Sequence, residues 1–179
     1  MHNRESNMEE LHSFINAGKW FYVLDDDCAQ IKYRAKILPH VGIDLNDERS
    51  DYYFCALEAL NRENTSMGSA LFYLYEGEKT FLSSIFVKEP FRGQGIGSHI
   101  LGVLEYLSTS LGSKKIDGRF HPTTKYADVF YAQNGYTILG QAPSAKIHKT
   151  LDYTKSFDNY SLSDEYHFCD KEQTAELEK

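Results

Sequence analysis

Cysteine is scarce and scattered. Cys28, Cys55 and Cys169 are odd in number and far apart. They make neither a disulfide framework nor a metal-binding spacing, and they suit a reducing compartment. No apolar run reaches membrane-spanning length, and no signal-peptide pattern opens the chain. The expectation is a cytoplasmic protein without a membrane partner. There is no internal repeat and no low-complexity tract. The one acidic cluster, Asp25-Asp26-Asp27, has no further ligands at calcium-loop spacing, so no metal is expected. Positive charge is in deficit: 19 Lys and Arg against 26 Asp and Glu give a net charge of −7. That balance argues against general nucleic-acid binding. It is compatible with a cationic substrate, although solubility alone accounts for it.

What is present is an ordinary globular composition, 41% apolar and 25% charged over 179 residues, with 13 Tyr and 11 Phe suited to strands and a pocket. The length fits a single domain with a real core, taken as residues 1–168 with a motif-bearing core at about 50–154 and a disordered charged tail at 169–179. Spacing predicts a short helix over 8–17, a strand over 20–24, and a helix over 28–38 with Ile31, Ala35 and Leu38 on one face and Pro39 ending it. Residues 40–50 read as a loop.

Three strands follow at 52–60, 67–75 and 79–87, joined by short turns and therefore antiparallel. A helix at about 95–111 carries Ile96, Ile100, Leu101, Val103, Leu104, Leu107 and Leu111 on one face, with Gly112 at its end. A strand at 115–120 comes next; strand, helix and strand in one sheet demand a parallel right-handed crossover. Pro122 and Thr123 open a helix running to Gln133, with Tyr126, Val129 and Phe130 inward, closed by Asn134-Gly135. Strands at 136–141 and 146–154 complete the series, and 155–168 has no period. The fold class is α/β (α+β): a mixed, mostly antiparallel sheet of six to seven strands flanked by helices.

The chain is organised around Ile85 to Ser98. A strand ends at Val87, a turn with Pro90 follows, and Arg92-Gly93-Gln94-Gly95-Ile96-Gly97 leads into the long helix. Glycines let the backbone turn sharply and approach a ligand. The first helical amides lack internal partners and sit at the positive end of the dipole. Such a turn is a phosphate site, with Arg92 adding charge. No Gly-Lys-Ser/Thr follows, against a P-loop. The spacing is wrong for a dinucleotide fingerprint, although Asp117 lies at the expected distance for its acidic partner and keeps that reading open.

Arg92-x-x-Gly95-x-Gly97 between a strand and a helix resembles the acyl-CoA signature of the GNAT superfamily of N-acetyltransferases. Phe130-Tyr131-Ala132-Gln133-Asn134-Gly135-Tyr136 is similar to the family's aromatic-Tyr-x-x-x-Gly-aromatic segment. The likeness covers roughly residues 50–142, with Glu89 and Pro90 in swapped order.

The resemblance implies acetyl transfer from acetyl-CoA to an amine of a small molecule or a protein. It implies that the strands ending at Val87 and at Phe120 splay apart. The pantetheine would then pair with Ile85, Phe86 and Val87. The pyrophosphate would meet the amides of Arg92, Gly93, Gln94, Gly95, Ile96 and Gly97, with Ser98 adding a hydroxyl. Tyr131 matches the family's tyrosine acid, which reprotonates the departing thiolate. Thr124 stands where an asparagine is frequent, and Phe81 where some relatives carry a glutamate base. Base candidates are therefore His121, Asp117, Glu58 or a water chain. Those two departures motivate a second reading, a catalytically silent acyl-CoA-binding module. The Tyr-bearing segment 155–168 would cover the cleft or pack on a second subunit in a homodimer.

Overall fold

The computed structural model describes residues 21–25, 31–37, 52–75, 78–121, 124–141, 151–156 and 166–169. The expected helix over 8–17, the loop at 40–50, Pro122, Thr123 and residues 170–179 of the charged tail lie outside them, while Cys169, expected in that tail, is part of a strand. Within them the order is β1 (Phe21–Asp25), β2 (Lys32–Ile37), β3 (Tyr52–Leu60), β4 (Ser66–Tyr75), β5 (Lys79–Val87), a 3-10 turn (Glu89–Phe91), α1 (Ile96–Ser110), β6 (Lys115–Phe120), α2 (Ala127–Gln133), β7 (Thr137–Gln141), β8 (Leu151–Ser156) and β9 (Tyr166–Cys169). The strands form one mixed sheet in the order β7-β8-β6-β5-β4-β3-β2-β1-β9. β5 and β6 are its parallel pair, joined by α1.

β2 corrects the helix expected over 28–38. Tyr33 and Ala35 are buried while Lys32, Arg34 and Lys36 are half-buried, the two-residue alternation of a strand with one face on the core. Ile31 and Ala35 also fit helical spacing, so the apolar pattern alone could not separate the two. β9, pairing with β1, comes from the stretch without a period.

α2 is shorter than expected and turned. Tyr126 sits at its N-cap with φ 64, a left-handed conformation that a right-handed helix cannot include. Tyr126 and Val129, expected inward, are 66% and 47% exposed; Ala127 and Tyr131 are buried instead.

All seven apolar residues of the expected α1 face are buried, packed with Leu57, Ala70, Phe72, Leu74, Leu82 and Ile116 in one core. Each large apolar side chain so buried contributes about 1.5–3 kcal/mol. A buried hydroxyl triad, Thr80 with Ser108 at 2.8 Å and with Ser113 at 3.0 Å, adds only about 1 kcal/mol per bond. Packing therefore holds α1 on the sheet, and the hydroxyls fix its position. α1 ends as expected: Gly112 (φ 81) and Ser113 return their amides to Thr109 and Ser108, a Schellman closure.

Gly68 on β4 is a close-approach position. A Cβ there would lie 2.6 Å from the Phe86 carbonyl oxygen and 3.1 Å from Ile100 Cδ1. Backbone on one side and a core residue on the other leave it no room. Gly68→Ala is expected to destabilise the fold by about 1–3 kcal/mol. An unchanged urea midpoint would show that the end of β5 yields without cost.

Candidate active site

β5 and β6 run together only briefly. Thr80, Phe81 and Leu82 pair with Ile116, Asp117 and Gly118, and the parallel register extends no further. On the other side of β5, Leu82 pairs with Phe72 and Ser84 with Leu71, so Ser83 is an extra residue. Such a bulge bends the strand and increases its twist. The bend comes where β5 parts from β6, and the edge from Ile85 to Val87 is left facing the gap.

The gap is a cleft of about 690 Å³. Ser83, Ser84, Ile85, Phe86 and Val87 line one wall; Arg119, Phe120 and His121 of β6 and its end line the other. Arg92, Gly93 and Gly97 stand at one end, with Thr124 to Ala127, Phe130 and Tyr131 across it. Sequence reasoning therefore placed Ile85, Phe86, Val87, Arg92, Gly93, Gly97, His121, Thr124 and Tyr131 on one cavity. Gln94, Gly95 and Ser98 are exposed in the adjoining turn and first helical turn, and Ile96 is buried beneath it.

The turn has the backbone geometry that anions favour. Gly93 and Gly95 have φ of 73 and 80, open to glycine at little cost. No side chain caps α1 at Gly95. The His99 amide reaches the Gly95 carbonyl at 3.0 Å, so the amides of Ile96, Gly97 and Ser98 precede the first helical bond. One expectation needs correction. The Arg92 amide is already engaged, donating to the Glu89 carbonyl at 3.2 Å, so the cradle starts after it. The Arg92 side chain braces the turn: Nε donates to the Val87 carbonyl at 2.9 Å, and the guanidinium lies 5.8 Å from the Phe86 ring centre. Gln94 Nε2 similarly donates to the Pro90 carbonyl at 2.9 Å. At Gly97 a Cβ would come within 3.1 Å of the Phe130 ring, so the missing side chain lets α2 close on the first turn of α1.

Tyr131 is 5% exposed. Its ring stacks on Phe120 at 5.6 Å and meets Phe130 and Tyr136 edge-on at 5.2 and 5.7 Å. The Tyr136 and Gly135 amides close α2 onto the Tyr131 and Ala132 carbonyls. Packing thereby fixes the ring, and the residue lines the cleft.

The base candidates separate. Glu58 is taken by Arg34 at 2.7 Å. Asp117 is held by Lys115 at 2.9 Å and by the Thr154 hydroxyl at 2.8 Å. Neither lines the cleft, whereas His121 does. Among the described lining residues there is no Asp or Glu. Burial pushes the Cys55 thiol up to about 12, so it is no thiolate at neutral pH and no nucleophile. Sequence reasoning missed Ser83, Ser84, Arg119, Phe120, Lys125, Tyr126, Ala127 and Phe130 as lining residues. A signal for the first two was present: inward residues step from Leu82 to Ile85, three apart in a strand of period two.

Residues 49–138 match the family model of the acetyltransferase (GNAT) domain. No protein of curated function matches the chain in sequence. Among solved structures, the chain is similar to a putative acyl-CoA N-acyltransferase of Klebsiella pneumoniae, at TM-score 0.53 and 19% identity over 64% of this chain and 79% of that one. An acetyltransferase of Bacillus cereus gives 0.51 and 24% over 63% and 79%. The PaiA N-acetyltransferase of Thermoplasma acidophilum, in complex with coenzyme A, gives 0.50 and 19% over 59% and 61%. Turn, splayed strands, buried tyrosine and family match agree, and the chain belongs to the GNAT acetyltransferase family.

Proposed function

We propose that the protein is an acetyl-CoA-dependent N-acetyltransferase acting on a primary amine of a small molecule or a peptide by direct attack, with Tyr131 as general acid. One observation carries the reading: the bulge at Ser83 opens the β5 edge opposite a packed tyrosine, with an anion turn at the end of the same cleft. The diphosphate of the co-substrate fits the amides of Gly93 to Ser98, and its pantetheine amides fit the free edge of Ile85 to Val87 as an added strand. In this reading a backbone N–H near Val87 stabilises the oxyanion of the tetrahedral intermediate.

A lysine-like amine titrates near ~10.4, so at neutral pH its free base costs about 4–5 kcal/mol to generate. His121, or water reached through it, takes that proton. The amine nitrogen bonds to the thioester carbon, the carbon–sulfur bond breaks, and the Tyr131 phenol gives its proton to the thiolate.

The silent acyl-CoA-binding module is favoured by one observation, the absence of a carboxylate among the described lining residues. Incubation with acetyl-CoA and a panel of amines separates the two, read as free thiol released. Tight calorimetric binding with no thiol from polyamines, aminoglycosides, amino acids or peptides would favour the silent module. Arg92→Ala tests the turn itself. Loss of a charge-assisted contact worth about 1.5–3 kcal/mol should weaken acetyl-CoA binding about 10–100-fold. Unaltered binding would move the diphosphate elsewhere.

A further inference from the structure

The diphosphate and the pantetheine account for the glycine turn and the β5 edge. They leave Lys125 and Tyr126 without a role, although both line the cleft and both are exposed. The two residues sit on the connection from β6 to α2. That connection is folded by its own backbone: the Thr124 amide donates to the His121 carbonyl at 2.8 Å, and the Ala127 amide to the Thr124 carbonyl at 3.2 Å.

Tyr126 is held in an uncommon state. Its φ is 64, and among the described non-glycine residues only Asn64 shares a positive φ. Asparagine tolerates that region; a bulky aromatic seldom enters it. Neither burial nor capping explains the conformation. The residue is 66% exposed, and its side chain caps nothing. Backbone strain that no packing accounts for points to a functional segment. Position supplies the rest. The Tyr126 carbonyl accepts the first bond of α2, from the Phe130 amide at 2.9 Å, so Phe130 lies one turn further on. The Phe130 ring is the one that a Cβ on Gly97 would meet at 3.1 Å. Tyr126 thus stands one turn from the residue that closes on the start of α1. The Lys125 ammonium lies 4.9 Å from the Tyr126 ring centre, and no ion pair among the described residues engages it. One cation covers at most one face of a ring, and the exposure leaves the other face open.

We propose that Lys125 and Tyr126 hold the nucleotide end of the donor: the Tyr126 ring stacks on the adenine, and the Lys125 ammonium pairs with the ribose 3′-phosphate. The proposal deepens the reading of the cleft as an acetyl-CoA site and rests on it. In coenzyme A the adenosine lies beyond the diphosphate from the sulfur; along α2, Tyr126 lies beyond Phe130 from Tyr131. Every base presents a π-face, so stacking on an aromatic side chain needs no hydrogen-bond register. An ammonium is a compact point charge with three donors and suits a phosphate. A donor class follows. A free nucleotide thioester engages both side chains, whereas an acyl-phosphopantetheine borne on a carrier protein has no adenosine to offer them.

The test is calorimetric and independent of turnover. Its ligands are coenzyme A, 3′-dephospho-coenzyme A, which lacks only the ribose phosphate, and 4′-phosphopantetheine, which lacks the adenosine. The parent should bind coenzyme A about ten-fold or more tighter than the dephospho form, as a charge-assisted contact demands, and 4′-phosphopantetheine more weakly still. In Lys125→Gln the first ratio should fall to near one, with the dephospho form bound as before. Tyr126→Gly is the second variant, because glycine adopts a positive φ without strain and the fold is preserved. It should weaken both nucleotides alike by about ten-fold and leave 4′-phosphopantetheine unaffected, while Tyr126→Trp keeps the parent's affinities. Equal binding of all three ligands by the parent overturns this inference and leaves the donor site standing. A 3′-phosphate preference that survives in Lys125→Gln, or undiminished nucleotide binding in Tyr126→Gly, does the same. A parent that binds none of the three overturns the reading of the cleft as well.

Discussion

Tyr131→Phe is expected to slow turnover by about 10²–10⁴-fold while leaving acetyl-CoA affinity nearly unchanged. The substitution keeps the ring, so the stack on Phe120 and the edge contacts with Phe130 and Tyr136 survive. It removes the hydroxyl that the proposed mechanism uses as proton donor. Without one, the thiolate must leave unprotonated, and the tetrahedral intermediate returns to thioester more readily than it advances. A purely structural role makes the opposite forecast, because deleting a hydroxyl from a packed ring leaves the packing and the rate alone. Single-turnover measurement of thiol release against equilibrium acetyl-CoA binding separates the two. Equal rates for parent and variant would remove Tyr131 from the chemistry. Tyr131→Ala is the less useful change, since it would empty a cavity among Phe120, Phe130 and Tyr136 and confound rate with folding.

What could be read from sequence was what is local. β3, β4, β5, β6 and α1 each carry a full period of their own, and their bounds follow the alternation or the 3.6-residue stripe. The glycine turn was legible for the same reason: Arg92, Gly95 and Gly97 lie within six residues of one another, and the chemistry of a helix N-terminus needs no distant partner. Tyr131 was legible through its segment, although its burial by Phe120 was not.

What failed depended on partners far along the chain. β2 satisfies strand and helix spacing together, and only pairing with β1 and β3 decides between them. β9 is four residues, Tyr166 to Cys169, with no alternation; its place comes from the free edge of β1. Arg119 drew no reading from sequence, because its place on the cleft depends on β5 parting from β6 past the bulge at Ser83. Tyr126 carried no local sign at all, because a left-handed tyrosine follows from what surrounds it and not from its own propensity.

The second large effect lies away from the cleft, at a buried ion pair that ties together the elements holding Tyr131. Lys155 on β8 reaches into the core side of α1, with Nζ 2.7 Å from Glu105 Oε2. The same ammonium donates to the Asn134 carbonyl at the end of α2, at 3.1 Å, and lies 5.5 Å from the Tyr136 ring centre. Glu105 is 5% exposed. Burial raises its pKa above the ordinary carboxylate value, and Lys155 pulls it back down. Lys155→Met would leave that carboxylate buried without its counter-ion, at a cost of about 3–5 kcal/mol near neutral pH.

The sign with pH follows from Glu105. A carboxyl whose folded pKa is raised binds its proton more tightly in the native state, so stability falls as pH rises from the unfolded pKa through the folded one. Removing Lys155 lifts the folded value further and widens that window upward. The deficit of Lys155→Met against the parent should therefore be small at a pH below the unfolded carboxyl pKa, where Glu105 is neutral in both states, and grow to its full size at neutral pH. Urea denaturation at the two ends of the window reads this directly, and a deficit independent of pH would show that packing, not charge, is what was lost. Glu105→Met combined with Lys155→Met should recover most of the stability, since an apolar pair avoids the desolvation cost that the ionic pair must offset. Because the ammonium also holds the end of α2, the single variant should lose turnover at pH values where it is still folded, and the double variant should regain fold without regaining all of the rate.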